Sequence, residues 1–171
     1  MGDLKSALSI LNTPQQNLDT PYAKPLLVQN ATISFQHVSF GYGQNKLTLK
    51  DLNLTIAPGE KIGLVGHSGA GKTSLVNLLL RYFENKQGQI FIDDQDIADV
   101  TQDSLREQIA VIPQDTMLFH RTLMENIRYG RANATDEEVI EASKKAHLHE
   151  HIMQLPEQYH TYVGERGLKL S

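Results

Sequence analysis

Apolar and polar residues change rhythm several times along the chain, and each change predicts a different element. "TISFQHVSF" (Thr32–Phe40) reads as a strand, and "LNLTI" (Leu52–Ile56) places apolar residues at every second position, as a half-buried strand does. "APGE" turns the chain, and the short apolar run "KIGLVG" (Lys61–Gly66) predicts a buried strand. In "TSLVNLLLRYF" the spacing of Leu75, Leu78, Leu79 and Tyr82 is helical. "GQIFIDDQDI" predicts a strand, a tight turn and a return, "VTQDSLREQI" a helix starting at Thr101, and "IAVIPQ" another short strand. Thr122 stands three residues ahead of Glu125, and Thr135 three ahead of Glu138. Both spacings are capping boxes, predicting helices over 123–129 and 136–146. Residues 1–30 carry Pro14, Pro21 and Pro25 and read as a helical piece around Leu4–Leu11 followed by an extended linker. The alternation of strands and helices gives an α/β class, with an antiparallel addition before it and a helical region after it.

Composition narrows the functions. A chain of 171 residues is long enough to bury about two thirds of its unfolded surface. With 40% hydrophobic and 21% charged residues it has the make-up of a soluble globular domain. A formal charge of −4 provides no electrostatic reason to bind nucleic acid. The absence of cysteine excludes disulfides and thiolate metal sites. Apolar runs such as Leu78-Leu79-Leu80 are too short to span a bilayer, and no secretory signal core follows Met1. "MGDLKS" fits the N-myristoylation pattern at Gly2 and Ser6, but six residues with free positions match too easily to carry lipidation.

The strongest chemical signal is "GHSGAGKT", which satisfies G-x-x-x-x-G-K-[ST] at every fixed position. Gly66, His67, Ser68, Gly69, Ala70 and Gly71 form a loop whose glycines let backbone N–H groups turn inward around phosphate oxygens. Lys72, Thr73 and Ser74 then open a helix whose positive end faces the same anion. Lys72 supplies a compact cation for the terminal phosphates, and the Thr73 hydroxyl can ligate Mg²⁺.

Around this loop stand "VSFGYG" with Tyr42, "VIPQD" with Gln114, then "LFHRTLMENIRYG" and "YVGERGLKLS". In this order they resemble the ATP-binding domain of ABC transporters, specifically exporters whose membrane and ATPase domains share one chain. The resemblance covers residues 26–171, and "DTPYAKPL" looks like the linker from the last membrane helix. It implies a P-loop NTPase (ABC ATPase) core with an N-terminal antiparallel β-subdomain. Residues 31–171 would be the N-terminal part of the domain, its helical subdomain starting at about 115, and residues 1–30 the linker.

The resemblance also implies roles. Tyr42 would stack on adenine. Gln114 would touch Mg²⁺ and the attacking water, acting with Lys72 in catalysis. The stretch Asp115–Arg128 would meet the membrane domain, making Met117, Leu118 and Phe119 interface residues. Glu165 would contact the second subunit's membrane helix. ATP and Mg²⁺ are the implied ligands. The transmembrane domain and a second ATP-binding domain are the implied partners, and the cytoplasmic face of a membrane, the bacterial inner membrane, is the implied location. "VGERGLKLS" leans toward the branch with heavy-metal and mitochondrial exporters.

The family signature reads Leu-Ser-Gly-Gly-Gln, and Leu170 and Ser171 supply its first two residues. The expectation is a chain cut inside that motif, lacking the Walker B carboxylates and the switch histidine, hence binding Mg-ATP without hydrolysing it. "IFIDD" is the one candidate for Walker B, and "DDQ" reads better as a hairpin turn. "HLHEH" would put His147 and His151 on one face if helical, a possible Zn²⁺ pair without a third ligand. Two rival readings are a short non-enzymatic product of a disrupted gene and a soluble P-loop ATPase or kinase. The exporter-like linker argues against the latter.

Overall fold

A computed structural model describes residues 17–43, 46–113 and 118–164. The chain divides into two compact units, 1–111 and 112–171. The expected helix at Leu4–Leu11 and the calls on Gly2, Ser6, Gln114, Met117, Glu165, Leu170 and Ser171 lie outside the described residues.

The first unit is built on a four-stranded antiparallel sheet. It contains β1 (Ile33–Phe40), β2 (Leu49–Ile56), β3 (Gln87–Ile92) and β4 (Gln95–Asp96), in the order β2-β1-β3-β4. The central strand carries the core: Phe35 pairs with Leu54 on one side and Ile90 on the other. Along β2, Leu52, Leu54 and Ile56 are half-buried and the residues between them exposed, as the alternation predicts. A bulge interrupts β1 after Phe35, where the register shifts. His37 and Asp51 face each other there at positive φ (53° and 46°), with Nδ1 and Oδ1 2.7 Å apart. Gly88 lies opposite with φ 81°, and any side chain on it would run into the backbone of Gln36 and His37. Two helices, α1 (Lys72–Leu79) and α2 (Gln102–Glu107), contribute Leu78 and Leu105 to the same core.

Asp93 and Asp94 form the two-residue turn between β3 and β4, both at positive φ (47° and 61°), which suits the twist of a hairpin. The Asp93 carboxylate accepts the backbone N–H groups of Gln29, Asn30, Ala31 and Thr32 at 2.7–3.1 Å. Those donors, led by Gln29, hold its pKa down to about 2. The carboxylate therefore pins the approach to β1 onto the hairpin, and "IFIDD" is a structural turn rather than a metal-holding strand end.

The second unit pairs β5 (Arg121–Thr122) with β6 (Tyr162–Val163) beside three helices, α3 (Leu123–Arg128), α4 (Asp136–Lys145) and α5 (His149–Met153). Both capping boxes are present. The Thr122 hydroxyl accepts from the Glu125 N–H and the Thr135 hydroxyl from that of Glu138, with each Glu carboxylate returned to its Thr N–H. Accepting the Thr135 N–H, and pairing with Arg131, lowers the pKa of Glu138. Leu123, Met124, Val139, Ile152, Tyr159 and Val163 close a separate core. Tyr159 is buried there, with its hydroxyl 2.9 Å from His149 Nδ1.

Three expectations are corrected. "KIGLVG" and the described residues 109–113 of "IAVIPQ" are not strands, and they carry Val65 at 98% and Ile112 at 91% exposure. A parallel strand is held by ladder partners and covered on both faces. Neither segment meets such a partner among the described residues, where the sole parallel pairing is an isolated bridge between Lys24 and Val100. The helix after the phosphate loop ends at Leu79 instead of including Tyr82, because Arg81 turns to φ 51° and leaves Tyr82 exposed. His147, at φ 56°, precedes the helix that begins at His149, so it shares no helical face with His151. Among the described residues, no group of three or more His, Asp or Glu is arranged to hold a metal. No described helix is long and apolar enough to cross a membrane.

Candidate functional site

The loop between residue 66 and α1 closes on itself through Lys72. Its ammonium donates to the carbonyl oxygens of Gly66 at 2.7 Å and His67 at 3.0 Å, using two of its three donors. The Ala70 N–H donates to the same His67 carbonyl at 3.2 Å, so the loop is tied back across its own mouth. Gly69 and Gly71 adopt φ of 80° and 96°, a conformation that L side chains resist. Gly71 is also packed: a Cβ there would stand 2.7 Å from Leu49 Cδ2 and 3.3 Å from Thr48 Cγ2. The helix start packs against Leu49 of β2 through a residue whose φ favours glycine, and an added Cβ would also have to displace the Leu49 tip.

At Gly71 no side chain caps α1, and no acidic residue sits in its first turn. Its leading N–H groups and the positive end of its dipole are thus left to an outside anion. Those groups open onto a pocket of about 490 Å³. Ser68, Gly69 and Gly71–Ser74 line it from the loop and helix, Tyr42 and Thr48 from the β1–β2 connection. Tyr42 is 58% exposed, while Ser74 is buried and donates from Oγ to the Tyr42 hydroxyl at 3.0 Å. An aromatic face and a phosphate-sized cradle therefore border one cavity, an arrangement that fits a nucleoside phosphate. Open space at Gly69 and the lack of any side-chain cap or acidic residue at the start of α1 fit the same group, an anion held by backbone N–H groups.

All the expected loop residues lie in this one place. Gly66 and His67 receive the lysine, Ala70 braces the turn, and Ser68, Gly69, Gly71, Lys72, Thr73 and Ser74 face the pocket with Tyr42. Gln114 is outside the described residues. No motif in the sequence marks Thr48 or Phe83. Thr48 lines the pocket, and the Phe83 ring lies 5.1 Å from that of Tyr42. The "RYF" run after the helix was the available signal for Phe83, but it read as the tail of an amphipathic helix. A second cavity of about 410 Å³ along Gln29–Thr32 and Asp93–Gln95 has no comparable chemistry, since its Asp93 carboxylate is already occupied by four N–H donors.

Comparison with known proteins agrees with this geometry. The family model described as ABC transporter matches residues 49–171. The chain is 46% identical, over all of its length, to 29% of an uncharacterized ABC transporter ATP-binding protein of Haemophilus influenzae. It is 47% identical, over 99% of its length, to 20% of human ATP-binding cassette sub-family B member 6. A solved bacterial Atm1-family ABC exporter with ATP bound superposes with a TM-score of 0.88 at 42% identity, covering 99% of this chain and 30% of the other. The chain spans between a fifth and a third of the length of these relatives. A phosphate loop under an aromatic residue, on a chain matched along its length by such proteins, places it in one family: it belongs to the ABC transporters, within the nucleotide-binding domain of the exporter type.

Proposed function

We propose that this chain is the nucleotide-gripping part of an ABC exporter, binding Mg-ATP through Tyr42, the Gly66–Ser74 loop and Gln114. The observation that carries it is the convergence of an uncapped helix start, the folded-back Lys72 and Tyr42 on one pocket. Tyr42 offers its π-face to adenine. The loop N–H groups and Lys72 hold the phosphates, a role in which a compact ammonium can shift from the loop carbonyls to anionic oxygens. Thr73, with Gln114, would hold Mg²⁺, which when bound would draw charge from the β and γ phosphates.

Residues 1–30 act as the linker from a transmembrane domain, 31–171 as the ATP-binding part, with the helical portion from about 115. The division of the chain near residue 111 supports that last boundary. The site works at the cytoplasmic face of a membrane, in a dimer of ATP-binding domains joined to membrane domains, and drives export in that complete assembly. Family membership sets aside a P-loop kinase. Binding without turnover is the expectation for this stretch, because hydrolysis needs a carboxylate pair at the metal, and in the sequence candidate "IFIDD" Asp93 and Asp94 form a hairpin turn, with Asp93 committed to four backbone N–H groups.

Calorimetric titration of Mg-ATP into the chain and its Lys72→Ala variant tests the reading. Binding that weakens by at least about tenfold in the variant is expected, from loss of a charge-assisted contact. Equal affinity overturns it, and phosphate release that depends on Lys72 overturns the claim of no turnover.

A further inference from the structure

We infer that Phe83 is a positioning residue for the base of the nucleotide, acting through its contact with the ring of Tyr42; this rests on the reading of the pocket as an ATP site. Three rings form a cluster here. Tyr42 stands edge-to-face with Phe40 at 4.9 Å and 79°, and with Phe83 at 5.1 Å and 88°, while Phe40 and Phe83 are 5.7 Å apart. Phe40 is buried in the sheet core, so it is held by its strand. Phe83 is 40% exposed and lies in the turn after α1, outside the main core. Its two ring partners are the buried Phe40 of β1 and the exposed Tyr42, so Phe83 joins the Tyr42 ring to the edge of the sheet core.

The same turn holds the Tyr42 segment by its backbone. Lys86 Nζ donates to the Gly43 carbonyl at 2.5 Å, and the Lys86 N–H donates to the Ser39 carbonyl at 2.8 Å. Ser74 fixes the hydroxyl end of the same ring. Between Gly41 and Gly43, neither of which carries a side chain to pack on it, the Tyr42 ring is exposed. Held edge-on by two phenylalanines, the ring has fewer orientations to lose when a flat base stacks on it, and the ordering cost of binding falls. Phe83 reaches the base only through Tyr42, so its effect is confined to ligands that carry a base.

Two ligands separate the contributions in the full-length protein: Mg-ATP, with its base, and Mg-tripolyphosphate, without one. Phe83→Leu is expected to weaken ATP by about fivefold, the size of one aromatic pair, while tripolyphosphate binds as before. Phe83→Tyr is expected to restore ATP, and Tyr42→Ala to reduce the ATP preference further. An unchanged ATP-to-tripolyphosphate ratio in Phe83→Leu overturns the inference, and so does equal weakening of both ligands, which marks a residue that only supports the fold. Loss of the Lys72 dependence of tripolyphosphate binding is a different failure: it removes the phosphate-site reading itself.

Discussion

Ser74 Oγ donates to the Tyr42 hydroxyl at 3.0 Å, joining the third residue of the phosphate-loop helix to a ring thirty-two positions earlier. Ser74 is buried and Tyr42 exposed, so the bond ties an exposed ring to a buried position of the helix. A double-mutant cycle of Ser74→Ala and Tyr42→Phe measures it. Each single change is expected to cost about 0.5–1.5 kcal/mol in urea unfolding, and the pair little more than either alone. Fully additive losses show that the two hydroxyls do not interact.

Gly71→Ala meets two obstacles, the φ of 96° and a Cβ 2.7 Å from Leu49 Cδ2. The leucine tip can move, but the backbone strain stays. The variant is expected to lose about 1–3 kcal/mol and to weaken phosphate binding, since the α1 N–H groups tilt with the helix start. Gly43→Ala, where the added Cβ meets nothing and φ is not positive, serves as the control and is expected to stay near the parent. Equal stability of the two variants defeats the argument.

Asp93 ties the segment Gln29–Thr32 to the hairpin only while it is ionised. Its pKa is lowered from 3.8 to about 2, so its contribution is complete above 3.8 and disappears as the pH falls toward 2. Protection of the Gln29, Asn30 and Thr32 amides against hydrogen exchange, taken relative to the intrinsic rate at each pH, is expected to fall through that acid window in the parent. In Asp93→Asn it should be low already at neutral pH, with no step in the window. Protection that persists in the variant assigns those amides to other acceptors.

Thr135→Ala removes the acceptor for the Glu138 N–H and half of a capping box. A loss of about 1 kcal/mol is expected, with Thr135→Ser retaining most of the stability. Chemical denaturation followed by helix signal checks the order parent, serine, alanine.

Local signals were legible in the sequence wherever a short stretch satisfies itself. The capping boxes, the β3–β4 turn and the alternation of β2 each depend on residues within a few positions, so they arise as read. "KIGLVG" and the described part of "IAVIPQ" depart from the strands their patterns predict, because an apolar run specifies burial without supplying a neighbour, and strand hydrogen bonds belong to a pair. The glycine pattern predicts the phosphate loop, and the structure adds that Gly69 and Gly71 are the ones at positive φ. That pattern could not give Phe83 or Thr48, whose place at the site comes from sheet register and from the turn at Arg81.

By itself the sequence determined the chemistry of the loop: the charge of Lys72, the hydroxyls of Thr73 and Ser74, and glycines where the backbone must turn inward. Those properties are intrinsic to residue type and close spacing. Tertiary structure alone decided that Tyr42 borders the same pocket, that Phe83 and Lys86 hold its turn, and that Asp93 serves four backbone N–H groups instead of a metal. Such contacts join residues 32 to 64 positions apart. They exist only because pairing in the sheet and burial of the core bring those positions together, a cost in chain entropy that no local pattern reveals.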